Sequence, residues 1–68
     1  MRNLRVYKSR RVGISTVTGE YRGTLASAHT AGVELEATVV DVKGQDVPLA
    51  GVVFIPAHQI IHVQVDTR

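Results

Sequence analysis

Residues 49–55 read LAGVVFI, and after the short link Pro56-Ala57-His58 the chain resumes as QIIHVQV. A strand wet on one face alternates apolar with polar residues, so LAGVVFI reads as a strand covered on both faces. In the next stretch Ile61, Val63 and Val65 share one face, and Ile60 adds apolar surface to the face of His62 and Gln64. A chain of 68 residues has little with which to cover such a hairpin. Domains near this size bury only about 60% of their unfolded surface and are reinforced by disulfides, metals or self-association. Cysteine is absent, which removes disulfides and thiolate metal sites. Association remains, most simply strand edge against strand edge.

The rest of the chain is rich in Val, Ile and Thr and is punctuated by single glycines at 13, 19, 23, 32, 44 and 51. Short strands with a turn signal every ~8–12 residues indicate a small all-β barrel or sandwich. Five strands are expected, over 12–18, 21–28, 33–42, 47–55 and 59–65. The third alternates most cleanly, with Val33, Leu35, Ala37 and Val39 on one face and Glu34, Glu36 and Thr38 on the other. Gly23, inside the second strand, marks a bulge, a sharp bend or a close backbone approach. Pro48 lacks a donor and belongs at an edge. In MRNLRVYKSRR, Leu4 pairs with Tyr7 as a helical turn or with Val6 as a strand face, and both readings stay open. The expected organisation is a basic N-terminal arm over 1–11 and a barrel over 12–66.

Charge is uneven. Arg2, Arg5, Lys8, Arg10 and Arg11 precede the first acid, Glu20, whereas acids outnumber bases in the remainder. A basic arm on a mildly acidic body steers toward phosphates. No stretch approaches the ~20 apolar residues of a membrane helix and no signal-peptide pattern appears, so no membrane partner is expected and the cytoplasm is the default location. Ser9, Ser15 and Ser27 lie in no nucleophile motif, and no glycine-rich phosphate loop occurs. Glu34 and Glu36 read as a solvated strand face rather than an acid–base pair. His29 and His58 do not supply the three or four converging donors of a metal site. A non-enzyme without metal or cofactor is expected.

Two stretches, TGEYRGTLASAHTAGVEL and VVFIPAHQIIHVQV, resemble the two signature motifs of the Sm/LSm family, which includes bacterial Hfq. The likeness spans roughly residues 12 to 65. It rests on the turn glycine Gly19, the strand glycine Gly23, Leu25, Val33 and Leu35, and on two apolar strands joined by a three-residue link. The resemblance implies an all-β fold, a small five-stranded, strongly bent antiparallel barrel of Sm-like or SH3-like type, with a short N-terminal helix or arm left open. It also implies a homo-oligomeric ring of five to seven subunits that binds single-stranded RNA. Sm-like proteins usually carry an Asp and an Asn in the loop after the second strand, and Arg-Gly or, in Hfq, Lys-His before the last strand. Here those places hold His29-Thr30-Ala31-Gly32 and Pro56-Ala57-His58.

In such a barrel both loops open toward the pore. Imidazoles at His29 and His58 would stack on a base, with Thr30, Gly32 and Gln59 beside them for hydrogen bonds or close approach. Arg10, Arg11 and Arg22 would supply phosphate contacts that bind without reading sequence. The alternative is a structural ring that has lost RNA and docks a protein partner. A monomeric SH3-like peptide binder fits less well, because such grooves are lined by aromatics and this chain has only Tyr7, Tyr21 and Phe54.

Overall fold

The computed structural model describes residues 2–66. A 3-10 helix over Arg2–Tyr7 leads into β1 (Arg11–Thr16), β2 (Gly19–His29), β3 (Gly32–Val42), β4 (Gln45–Leu49) and β5 (Val53–Pro56). A second 3-10 turn, Ala57–Gln59, joins β5 to β6 (Ile60–Val65). Among the described residues the six strands form one antiparallel sheet in the order β4-β3-β2-β1-β6, with β5 paired to the other half of β3.

Alternation builds the core. Val12 and Ile14 point inward from β1, where they meet Leu25, Ala28, Val33, Leu35 and Ile55. Leu4 packs against this cluster, so the N-terminal segment takes the helical of its two readings. The segment is then tied down: the Ser9 amide donates to the Leu25 carbonyl at 2.7 Å and the Leu25 amide to the Arg10 carbonyl at 2.9 Å. The β1–β2 turn closes on the buried Thr16 hydroxyl, which accepts from the amides of Thr18 and Gly19 and donates to the Gly19 carbonyl.

The sheet bends because β2 and β3 slip register twice. Between the Arg22–Val39 and Thr24–Glu36 pairs, β3 spends two residues, Ala37 and Thr38, opposite Gly23 alone. Ala37 takes φ +50° there. A Cβ at Gly23 would lie 2.9 Å from Thr38 Oγ1 and 3.0 Å from the Glu36 carbonyl, so only glycine lets the bulge fold over it. The second slip, between Leu25 and Ser27, makes Ala26 the extra residue of β2.

The bulge overturns one expected face. Val33 and Leu35 are buried, but Ala37 is exposed, Val39 is half-buried and Thr38 turns inward. An extra residue at left-handed φ inverts the alternation beyond it. The count of five strands is corrected for the same reason. β4 pairs with β3 beyond the bulge and β5 with β3 before it, so the expected strand over 47–55 breaks at residues 50–52 to follow the bend. The last expected strand loses its start to the 3-10 turn.

Candidate nucleic-acid interface

The β2–β3 turn and the β5–β6 link meet at one end of the sheet. His29 pairs with Gly32, leaving Thr30 and Ala31 as an exposed two-residue turn. Gly32 also pairs with Pro56, and the Ala57 amide donates to the Ala31 carbonyl at 2.9 Å. Contact is tight enough that a Cβ at Gly32 would sit 2.2 Å from the Ile55 carbonyl oxygen. Gly32 has φ +153°, a region essentially closed to other residues. The expected pair of loops is thus one structural unit.

His29 is half-buried, and its ring stacks on that of Phe54 with centroids 6.1 Å apart and planes inclined by 17°. Such offset stacking fixes the imidazole plane while leaving one face and the nitrogen edge usable. His58 is exposed on the 3-10 turn. Gln59 is half-buried, and its carbonyl accepts from the Val17 amide at 3.2 Å. Of the expected contacts, then, His29, Thr30 and His58 present side chains at this end, and Gly32 serves to let the loops close.

The arginines lie elsewhere, Arg11 and Arg22 on the outer face of the sheet and Arg10 just ahead of β1. Register places residues in cross-strand rows on that face. One row runs His62, Ser15, Glu20, Asp41, Asp46 across five strands, and the next runs Gln64, Gly13, Arg22, Val39, Pro48. Ser15 Oγ lies 3.2 Å from His62 Nε2 and 3.4 Å from a Glu20 carboxylate oxygen. The Arg22 guanidinium reaches diagonally to Asp46 in an exposed ion pair. Arg11 donates to the Thr24 hydroxyl at 3.1 Å and to the Ala37 carbonyl at 3.2 Å, holding the bulge from outside. Arg10 donates to the Asp66 carbonyl at 3.0 Å. Arg11 and Arg22 border an open groove of about 450 Å³ floored by Gly13, with Asp66 on its rim. The positive charge of this face is therefore interleaved with carboxylates and largely committed within the chain.

Sequence reasoning missed Phe54 as the partner of His29. No local signal marks it, because the contact depends on β5 lying beside β3. It also left Arg5, Lys8 and Ser27 out of the site, although with His29 they line a second concavity beside the N-terminal helix. Among the described residues no group of three or more His, Asp or Glu is placed to hold a metal ion. No helix among them is long and apolar enough to cross a membrane.

No family model and no curated protein matches the chain in sequence. Solved structures match it closely in shape. The SmAP1 heptamer of Pyrobaculum aerophilum superposes with a TM-score of 0.88 at 16% identity, covering 98% of this chain and 92% of that one. The Sm protein of Pyrococcus abyssi, solved in complex with a uridine heptamer, gives 0.83 at 18% identity over 96% and 94%. A chain of the NatC complex bound to CoA gives 0.82 at 14% identity over 94% and 84%. The fold is Sm-like.

Proposed function

We propose that copies of this chain close head to tail into a ring of five to seven subunits, whose loop-bearing end holds single-stranded RNA without catalysis. The carrying observation is the set of free strand edges. Among the described residues β6 pairs only with β1, and β4 and β5 only with β3, so the sheet ends in an unpaired β6 edge on one side and unpaired β4 and β5 edges on the other. Exposed apolar side chains flank both, with Val52 and Phe54 at 58% and 47% exposure on one side and Ile61 at 65% on the other. Two different edges that pair with one another form a heterologous contact, which closes into a ring when the rotation allows. The archaeal Sm heptamer of matching fold supports this closure.

RNA is supported by the chemistry of the loop end and by the likeness to a protein solved with a uridine heptamer. His29, His58 and Thr30 offer stacking faces and hydrogen-bond groups of the kind that hold splayed bases. Repeated around a ring, they would form a circle of such contacts. Native mass measurement before and after nuclease treatment tests assembly. Fluorescence anisotropy with short U-rich and A-rich RNAs at ~50 mM salt, where electrostatic binding is strongest, tests binding. A multimer that shifts RNA, with affinity lost in the His29→Ala/His58→Ala double variant, is expected. Monomers alone, or no shift at that salt, would overturn it.

A second reading keeps the ring but gives it a protein partner. It is favoured by the in-chain engagement of Arg10, Arg11 and Arg22 and by the likeness to a chain of a protein complex. It expects a multimer that purifies free of nucleic acid.

A further inference from the structure

Between the N-terminal 3-10 helix and the end of β2 lies an open notch of about 350 Å³, lined by Arg5, Lys8, Ala26, Ser27, Ala28 and His29. It differs from the groove over Gly13 in kind. Among the described residues two cations line it and no carboxylate does; Glu34, opposite Ser27 on β3, is not part of the lining. Arg5 is placed, not trailing: its Nε donates to the Ala28 carbonyl at 3.3 Å. That bond sets the guanidinium plane against β2 and leaves the terminal nitrogens for a ligand. Lys8 is held in position by its amide, which donates to the Arg5 carbonyl at 3.2 Å, and by the neighbouring Ser9–Leu25 bond.

The floor suits an oxyanion. Ala26 is the extra residue of the β2 bulge, and bulged backbone is left outside the ladder. The half-buried Ser27 adds a hydroxyl donor, and His29 closes the far side with a ring already oriented by Phe54. The volume falls in the lower range of small-molecule sites, ~300–1,000 Å³. Two cations, the Arg5 guanidinium held by its bond to β2 and the Lys8 ammonium on an anchored backbone, match the double charge of a phosphate monoester better than the single charge of a diester.

We infer that this notch binds the phosphomonoester of a nucleotide, with Arg5 and Lys8 on the phosphate, Ser27 donating to it, and the base directed toward His29. The group has two sources: a free nucleoside monophosphate, or the 5′-phosphorylated end of an RNA strand. Only the second source rests on the RNA-binding reading above.

Calorimetric titration with 5′-AMP and with adenosine probes the first source. Anisotropy with one labelled hexaadenylate, carrying a 5′-phosphate or a 5′-hydroxyl, probes the second. Charge-assisted hydrogen bonds contribute about 1.5–3 kcal/mol, so the phosphate form of at least one probe binds about tenfold tighter or more. Lys8→Ala, which keeps the backbone bond to Arg5 and removes an exposed side chain with no hydrogen bond among the described residues, removes most of that preference, and Arg5→Lys reduces it; Lys43→Ala, in the β3–β4 turn, leaves it intact. Equal affinity for the phosphate and hydroxyl forms of both probes overturns the inference, as does a preference that survives Lys8→Ala. Strong binding of the hydroxyl strand with no gain from phosphate sinks the notch and spares the RNA reading. Binding of 5′-AMP over adenosine with neither strand bound does the reverse.

Discussion

Replacing Gly32 by alanine strikes the point where the two loops are pinned together. The added Cβ would stand 2.2 Å from the Ile55 carbonyl oxygen and 3.0 Å from both Phe54 Cζ and Pro56 Cα. Two of those three are backbone atoms, so a rotamer change cannot relieve the clash and β5 has to move off β3. Overpacking of this kind costs about 1–3 kcal/mol, and holding alanine at φ +153° costs about 1–3 kcal/mol more. A chain of 68 residues has a total stability of roughly 3–10 kcal/mol. Gly32→Ala is therefore expected to lower Tm by about 10 °C or more at equal protomer concentration, since each kcal/mol moves a domain of this size by ~4–8 °C. Gly13→Ala is the control, because a Cβ there meets nothing nearer than 3.8 Å; it stays within about 1 kcal/mol of the parent. Thermal and urea unfolding followed by circular dichroism measure both. If Gly32→Ala melts within a few degrees of the parent, or no lower than Gly13→Ala, the loops are not pinned as described.

The other expectations concern the bulge, the core and the surface. Thr38 is 1% exposed and its hydroxyl has no hydrogen-bond partner among the described residues, so Thr38→Val removes a desolvated polar group and raises stability by about 1 kcal/mol in urea unfolding. Ala37 is exposed at φ +50°, and Ala37→Gly relieves left-handed strain for a gain of about 0.5–1 kcal/mol in the same assay. Leu25→Ala, at a fully buried position, costs about 2–5 kcal/mol and reads out as loss of the cooperative transition. Arg22→Ala breaks a pair whose side chains are 53% and 64% exposed, and changes the unfolding midpoint by less than about 1 kcal/mol.

Local chemistry made much of this molecule legible. Alternation at Val12 and Ile14 and at Val33 and Leu35 placed the core, and the apolar excess of LAGVVFI and QIIHVQV placed the surface that needs covering. Gly23 announced a bulge, a sharp bend or a close backbone approach, because a missing side chain inside strand sequence has few other uses, whereas Gly32 was legible only as part of a turn. The loops bearing His29 and His58 were legible as a pair only through the family resemblance; that Gly32 pairs with Pro56 and brings them together is a finding of the structure.

What stayed hidden depends on contacts between distant residues. An alanine at position 37 carries no sign that it will take left-handed φ; the bulge exists because β2 and β3 fold over Gly23, and it inverts the face of everything after it in β3. The stacking of His29 on Phe54 needs β5 beside β3. The notch needs the N-terminal helix laid along β2. Charge tells the same story, since composition counts Arg11 and Arg22 as free cations whereas register sets them against a backbone carbonyl and Asp46. Sequence alone determined that this is a bent β-sheet with hydrophobic surface to spare, because side-chain period and glycine act over a few residues. Which groups face one another, and which cations remain for a ligand, only the tertiary fold decided, because strand register is set by the whole sheet at once.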